Sequence, residues 1–215
     1  MKVEIWSDVV CPWCYIGKRH FEAALDGFEG ELDVVWRSFE LDPSASATPQ
    51  GDLAQELATK YRVSVEEARE MMDRTTRAAA KVGLEFDFHQ ARRGNTLDAH
   101  RLIHLAGEHR LQGEMKERLL RGYFTEGKAI SSRDELAAMA GEVGLDSREV
   151  ARMLETEDYV DDVRADEMRA RELGIRGVPF FLLDGWAAIS GAQPSELFRE
   201  GLERVLATSG SDREA

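Results

Sequence analysis

Apolar residues change rhythm repeatedly along this chain. Val3-Glu4-Ile5-Trp6-Ser7 is rich in β-formers and reads as a short strand. From about Cys11 to Leu25 the rhythm is helical, with Phe21, Ala24 and Leu25 on one face and Gly27 near the end. Pro12 falls at the first helical position, where a missing N–H costs nothing. Leu32–Phe39 reads as a second strand, and Asp42–Gly51 has the composition of a loop. From about 52 to 173 the pattern is helical almost throughout, a block of about six helices. Ser64 with Glu67 matches a capping box that opens a helix to Lys81, with Gly83 beyond. Asn95 caps a helix through about Glu108, and Leu111–Phe124 reads as another. Ser132 caps one that Gly144 closes, Asp146 caps one through Thr156, and the last runs from Tyr159 to Leu173 before Gly174. Strand character then returns: Phe180–Leu183, the turn signal Asp184-Gly185, and Trp186–Ser190 form a hairpin. A final helix starts at Pro194, and residues 209–215 read as a disordered tail.

The order βαβ, helices, ββα joins the two ends into one α/β unit, which is the thioredoxin order. The expected fold is therefore a thioredoxin fold with a large all-helical domain inserted between the second strand and the proline-led strand at Phe180. Residues 1–45 and 174–208 make the thioredoxin-like domain and 46–173 the insertion. A chain of 215 residues buries such a core without covalent staples. With 28 basic and 41 acidic residues its net charge is −13, which argues against nonspecific binding to nucleic acid or to an anionic membrane surface. No apolar stretch is long enough to span a bilayer. The start has no apolar signal core and carries Glu4 and Asp8, so a cytoplasmic location is expected. A static structural disulfide is disfavoured in that reducing compartment.

The chain has two cysteines, and they stand three apart in Cys11-Pro12-Trp13-Cys14. Idle buried thiols, half of a metal site and a redox-active dithiol all compete to explain them. A CxxC at a strand-to-helix junction favours the dithiol, because free N–H groups at a helix N-terminus stabilise a thiolate. On that reading Cys11 attacks, Cys14 resolves from one turn on, Pro12 supports the helix start, and Trp13 offers an apolar face beside the sulfur. A zinc set would need Cys11 and Cys14 to meet His100 and His104 across a long gap. Asp8 either caps the helix or helps to move the Cys14 proton, a task that needs a raised pKa. At the entry to the strand at Phe180, Pro179 is either an ordinary trans loop proline or a cis proline that turns the backbone of Val178 toward an extended substrate.

CPWCYIGKRHF, NTLDAHRLIHLA, YFTEGKAI, LGIRGVPFFLLDG and SGAQP, in this order, resemble the DsbA-like thioredoxin-fold proteins of the FrnE type. The likeness runs from about residue 3 to 207. It implies a cis Pro179 facing the cysteines and dithiol–disulfide oxidoreductase or isomerase activity, with Cys11 as nucleophile and Cys14 as resolving thiol. The substrates it implies are disulfide-containing proteins or small molecules, with no bound cofactor beyond the Cys11–Cys14 disulfide and with glutathione as a candidate co-substrate. A related branch, the kappa-class glutathione transferases and 2-hydroxychromene-2-carboxylate isomerases, carries serine near the position of Cys11 and activates glutathione instead. Likeness to that branch around Asn95-Thr96 places Asn95 and Arg101 in the interdomain cleft; read from the residues alone, they are a helix cap and a surface cation. The branch also has a serine–aspartate pair where this chain has Gly191-Ala192-Gln193, which weakens the glutathione-isomerase alternative. A non-enzymatic module, zinc-held or docking a partner through the acidic helices, is the third alternative.

Overall fold

Strand β1 (Lys2–Ser7) is buried at five consecutive positions, so both of its faces must be covered. The computed structural model, which describes residues 1–48 and 52–211, shows how. Helix α1 (Pro12–Ala24) carries the chain over one face to strand β2 (Asp33–Ser38), which runs parallel to β1 with Val3 opposite Val34 and Ile5 opposite Trp36. After the helical block, β3 (Phe180–Leu183) returns antiparallel on the other side of β1, with Ile5 opposite Phe181. The hairpin strand β4 (Ala187–Ser190) completes the order β2-β1-β3-β4, and α9 (Ser195–Ser211) packs beside α1. This is the expected thioredoxin fold with a helical insertion. The hairpin turn takes positive φ at both Asp184 and Gly185, the reason that pair is a turn signal.

The two faces of β1 differ in chemistry because side chains alternate. Val3 and Ile5 join the apolar side, where Phe21, Phe181 and Phe198 pack ring against ring at 4.5–5.8 Å between centroids. Trp6 and Glu4 face the insertion. Trp6 Nε1 donates to the Asp166 carbonyl (3.0 Å), and the Asp166 carboxylate accepts from Ser38 N (2.9 Å) and Arg37 (3.0 Å). Buried Glu4 accepts from Arg37 and Arg169. The last helix before β3 is thus fastened to the sheet by paired charges as well as by packing.

Seven helices lie between β2 and β3 among the described residues, one more than the pattern suggested. They are α2 (Leu53–Tyr61), α3 (Val65–Ala80), α4 (Leu97–Glu108), α5 (Gln112–Phe124), α6 (Arg133–Val143), α7 (Ser147–Glu155) and α8 (Val160–Glu172). Helix α2 went unresolved in the pattern because Arg62, not glycine, closes it in the left-handed region at φ 57°. The Ser64–Glu67 capping box is present, and Ser132 and Asp146 cap α6 and α7 as expected. Residues 209–211 continue α9 rather than starting a disordered tail. The rest of that tail, 212–215, and the loop residues 49–51 lie outside the described residues. Among the described residues, no helix is long and apolar enough to cross a membrane.

A polar cluster joins α1 to α5. The Glu117 carboxylate accepts from Tyr15 Oη (2.6 Å), from Lys18 Nζ (2.5 Å) and from Arg19. Burial alone would raise its pKa, but Arg19, Lys18 and Tyr15 hold it down at about 2. A carboxyl depressed in the fold stabilises it above the unfolded pKa and loses that contribution as pH falls through the folded one. Glu117→Gln should therefore cost about 1–2 kcal/mol at neutral pH, after discounting for partial exposure. It should also flatten the loss of stability between about pH 4.5 and 2. Urea denaturation over a pH series measures both; an unchanged acid limb would refute the assignment.

Candidate active site

The end of β1 delivers the chain to α1 through Asp8, Val9 and Val10. Cys11 is the N-cap of α1, in extended geometry, and Pro12 follows inside the first turn. No side chain caps this end, and the Cys14 backbone acts to lower the Cys11 thiol. Cys14 N donates to Cys11 O (3.1 Å), which fixes the two cysteines one turn apart. Both are free thiols and both are buried, Cys11 to 4% exposure and Cys14 to 1%. Trp13, in contrast, is 47% exposed beside them.

The Val178–Pro179 peptide is cis. The Cys11 thiol donates to the Val178 carbonyl at 3.6 Å, so the proline loop faces the first cysteine as the resemblance implied. Gly17 gives the proline loop room, since a Cβ there would lie 3.0 Å from Pro179 Cγ. Cys11, Pro12, Trp13, Asp8 and Val178 share the wall of a cleft of about 280 Å³, which α2 and α3 close with Leu57, Met72 and other apolar side chains. Cys11 lines this cleft and Cys14 does not.

Ionisation divides differently. The hydrogen bond with Cys14, together with burial, pushes the Cys11 thiol up. Burial acts on Cys14 as well, but the Cys11 thiol, the Lys116 charge, the Ser7 hydroxyl and the Asp8 backbone bring Cys14 below the ordinary thiol range. The two thiols therefore titrate as one unit.

Asp8 takes neither of its expected roles. Its carboxylate is buried, with Oδ2 accepting from Leu41 N (2.7 Å) and Oδ1 3.3 Å from His100 Nε2. It therefore caps no helix. Burial favours the neutral form, yet His100, the Leu41 N–H and Lys116 hold its pKa below the usual carboxylate range, the reverse of what proton shuttling requires. Asn95 stands one residue before Thr96, which is the N-cap of α4: Asn95 Oδ1 accepts from Leu97 N (2.9 Å), Nδ2 donates to Pro43 O (3.2 Å), and it is Gly94 and Thr96 that border the cleft. Arg101 is a correction to both of its readings, since it is neither in the cleft nor on the surface. Its buried guanidinium donates to the carbonyls of Met153, Thr156 (2.6 Å) and Asp158 (2.7 Å) and to Asp98 (2.6 Å), joining α4 to the end of α7. The zinc set does not assemble. His104 turns to Ser38 Oγ (3.1 Å) and Asp166 (3.3 Å), and no three His, Cys, Asp or Glu among the described residues converge as metal ligands.

Lys116 escaped the sequence reading. It sits on the apolar stripe of α5 with Leu119, Leu120 and Tyr123, and is 1% exposed. Its Nζ donates to the Ser7 carbonyl (3.1 Å) and lies 5.7 Å from the Trp36 ring centroid. A cation at a stripe position is a signal that periodicity carries and that motif reading passed over.

A dithiol at a helix N-terminus, opposite a cis-proline in a thioredoxin fold with helices inserted before that proline, defines the DsbA-like class of thioredoxin proteins. The chain belongs to the DSBA-like thioredoxin domain family, matched over residues 2–203. It is 32% identical over 204 residues to the uncharacterized protein YwbO of Bacillus subtilis, covering 93% of this chain and 94% of that one. The crystal structure of a probable DsbA oxidoreductase from Streptomyces coelicolor is 40% identical, with a TM-score of 0.91 over 96% of this chain and 90% of that one. The cytosolic disulfide reductase DsbM from Pseudomonas aeruginosa, solved with GSH, shares the fold at 20% identity and a TM-score of 0.67, over 96% of this chain and 100% of that one.

Arg101→Met should leave the dithiol working while destabilising the fold by about 3 kcal/mol, because several buried carbonyls and Asp98 lose their donor. Urea denaturation beside a redox titration tests this; a shifted redox midpoint with intact stability would return Arg101 to the site.

Proposed function

We propose that this chain is a thiol–disulfide oxidoreductase acting through the Cys11–Cys14 dithiol. The observation that carries the reading is the Cys11 thiol held at 3.6 Å from the Val178 carbonyl, on the cleft wall and at the start of α1. A disulfide entering along the cleft meets Cys11 first. The Cys11 thiolate attacks one sulfur, the other leaves as a thiolate, and a mixed disulfide forms on Cys11. Cys14 then attacks Cys11 from inside, closes the Cys11–Cys14 bond and frees the second substrate thiol. Run backward, the same steps oxidise a substrate dithiol, and repeated partial runs shuffle disulfides, so isomerisation needs no further residue.

Val178 and cis Pro179 serve on this reading as a backbone rest for the substrate, and Trp13 as an apolar rim. The apolar walls from α2 and α3 suit a disulfide with apolar flanks, on a peptide or a small molecule. Glutathione fits as co-substrate, a role in keeping with the GSH carried by the DsbM structure. A glutathione-dependent isomerase is the weaker reading, because this chain supplies two thiols of its own and has Gly191-Ala192-Gln193 where that branch has its serine–aspartate pair. The reducing cytoplasm is the compartment in which such a dithiol, with no other cysteine to mispair, turns over most simply.

The test is a redox titration against glutathione buffers of graded poise, read by thiol alkylation and mass. A single two-electron transition between the dithiol and the Cys11–Cys14 disulfide is expected. Its midpoint sets direction, with about 30 mV per tenfold change in equilibrium constant. Cys11→Ser should abolish turnover of any disulfide, and Cys14→Ser should accumulate mixed disulfides on Cys11. If no Cys11–Cys14 disulfide forms at any poise, the proposal is wrong.

A further inference from the structure

Lys116 poses a physical problem. It is an ammonium buried to 1% exposure, and no carboxylate lies within ion-pair distance of it among the described residues. Burying a lone cation is costly, and a methionine or leucine would fill the same place between α5 and β2 without that cost. The groups that face it are few. From α1 come Cys14, Cys11 and the like-charged Lys18; from the β1–α1 connection comes the carboxylate of Asp8; from β2 comes the Trp36 ring. Its one hydrogen bond is to the carbonyl of Ser7. That carbonyl belongs to the Ser7–Asp8 peptide, and the Asp8 backbone acts to lower the Cys14 thiol. The Ser7 hydroxyl, buried and without a hydrogen-bond partner of its own, borders the same sulfur.

We propose that Lys116 is a positioning residue for the resolving step, an ammonium supplied by the inserted helices that stabilises Cys14 as a thiolate through its own charge and through the Ser7–Asp8 peptide it holds. The inference rests on the dithiol reading above. In the mixed disulfide Cys14 gives its proton to solvent, and its thiolate attacks Cys11 Sγ. The Cys11–Cys14 bond forms, the bond from Cys11 to the substrate sulfur breaks, and the electron pair leaves with the substrate thiolate, which takes a proton from solvent. Two electrons pass from the dithiol to the substrate, and Lys116 exchanges none. In the oxidising direction the same ammonium stabilises Cys14 as the leaving thiolate.

Charge support of this kind has a signature in pH. Burial, opposed by the charges of Cys14, Asp8 and Cys11, pushes Lys116 down to about 8. Its support is therefore complete below that pH and fades above it as the ammonium loses its proton. A residue that only packed α5 against the sheet would show no such dependence.

The experiment follows reaction of the reduced protein with dithiodipyridine by stopped flow. One absorbing thiopyridone is released when Cys11 attacks and a second when Cys14 resolves. In Lys116→Met the first phase should stay within about twofold of wild type and the second should slow about tenfold at neutral pH, since one unit of thiol pKa is a tenfold change in thiolate. The deficit should shrink as pH rises past about 8 and vanish near pH 10. Lys116→Gln, which keeps a polar group there, should behave alike and stands in if the methionine variant does not fold. A second phase that is unmoved, a deficit constant with pH, or equal slowing of both phases would overturn the proposal. A wild-type protein that releases only one thiopyridone would instead sink the dithiol reading itself.

Discussion

Strand β1 and the turn that leaves it constrain everything around the dithiol. The strand is held between β2 and β3, with ring packing on one face and the Trp6, Glu4 and Asp166 contacts on the other. Its last peptide is gripped from below by Lys116, and the next side chain, Asp8, is fixed by Leu41 N and His100. The backbone entering Cys11 is thus pinned by residues from the segment after β2, from α4 and from α5 as well as from its own sheet. A dithiol needs this rigidity, because disulfide exchange demands aligned sulfurs and a misplaced helix start would aim Cys11 away from Val178.

The same contacts tie the inserted helices to the chemistry. Helices α2 and α3 supply the far wall of the cleft, α4 supplies His100, α5 supplies Lys116 and Glu117, and α8 is stitched to the sheet through Asp166. The insertion is more than a lid over a thioredoxin fold, since the polar environment beneath the cysteines is built largely from it. Through Glu117, α5 also holds Tyr15, Lys18 and Arg19, which lie on the same helix as Cys14.

What the sequence disclosed follows from how each feature is encoded. Strand, capping-box and turn signals are local, so Ser64 with Glu67 and Asp184 with Gly185 could be read directly, and the CxxC could be placed at a helix start from Pro12 alone. Cleft membership depends on long-range packing. Arg101 has the charge of a ligand-binding residue, yet the carbonyls that consume its donors come from more than fifty positions away. Asp8 misled for the same reason, since its partners Leu41 and His100 reach it only after β2 and α4 have docked. The boundary of α2 was hidden by Arg62, a non-glycine residue doing what glycine usually does.

The opposed charges around the two sulfurs explain why no single element sets their chemistry. The N-terminus of α1 favours a thiolate at Cys11, while the ionised Asp8 and the neighbouring Cys14 disfavour one there. At Cys14 the Cys11 thiol, the Lys116 charge, the Ser7 hydroxyl and the Asp8 backbone all act to lower the thiol against its burial. On the proposed reading, an incoming disulfide changes that balance. Once Cys11 is bonded to a substrate sulfur its thiol no longer supports Cys14, and the Lys116 charge, the Ser7 hydroxyl and the Asp8 backbone are what remain to hold the inner thiol down. On the proposed reading, what then supports the inner thiolate comes from α5 and from the turn after β1, and not from the other cysteine.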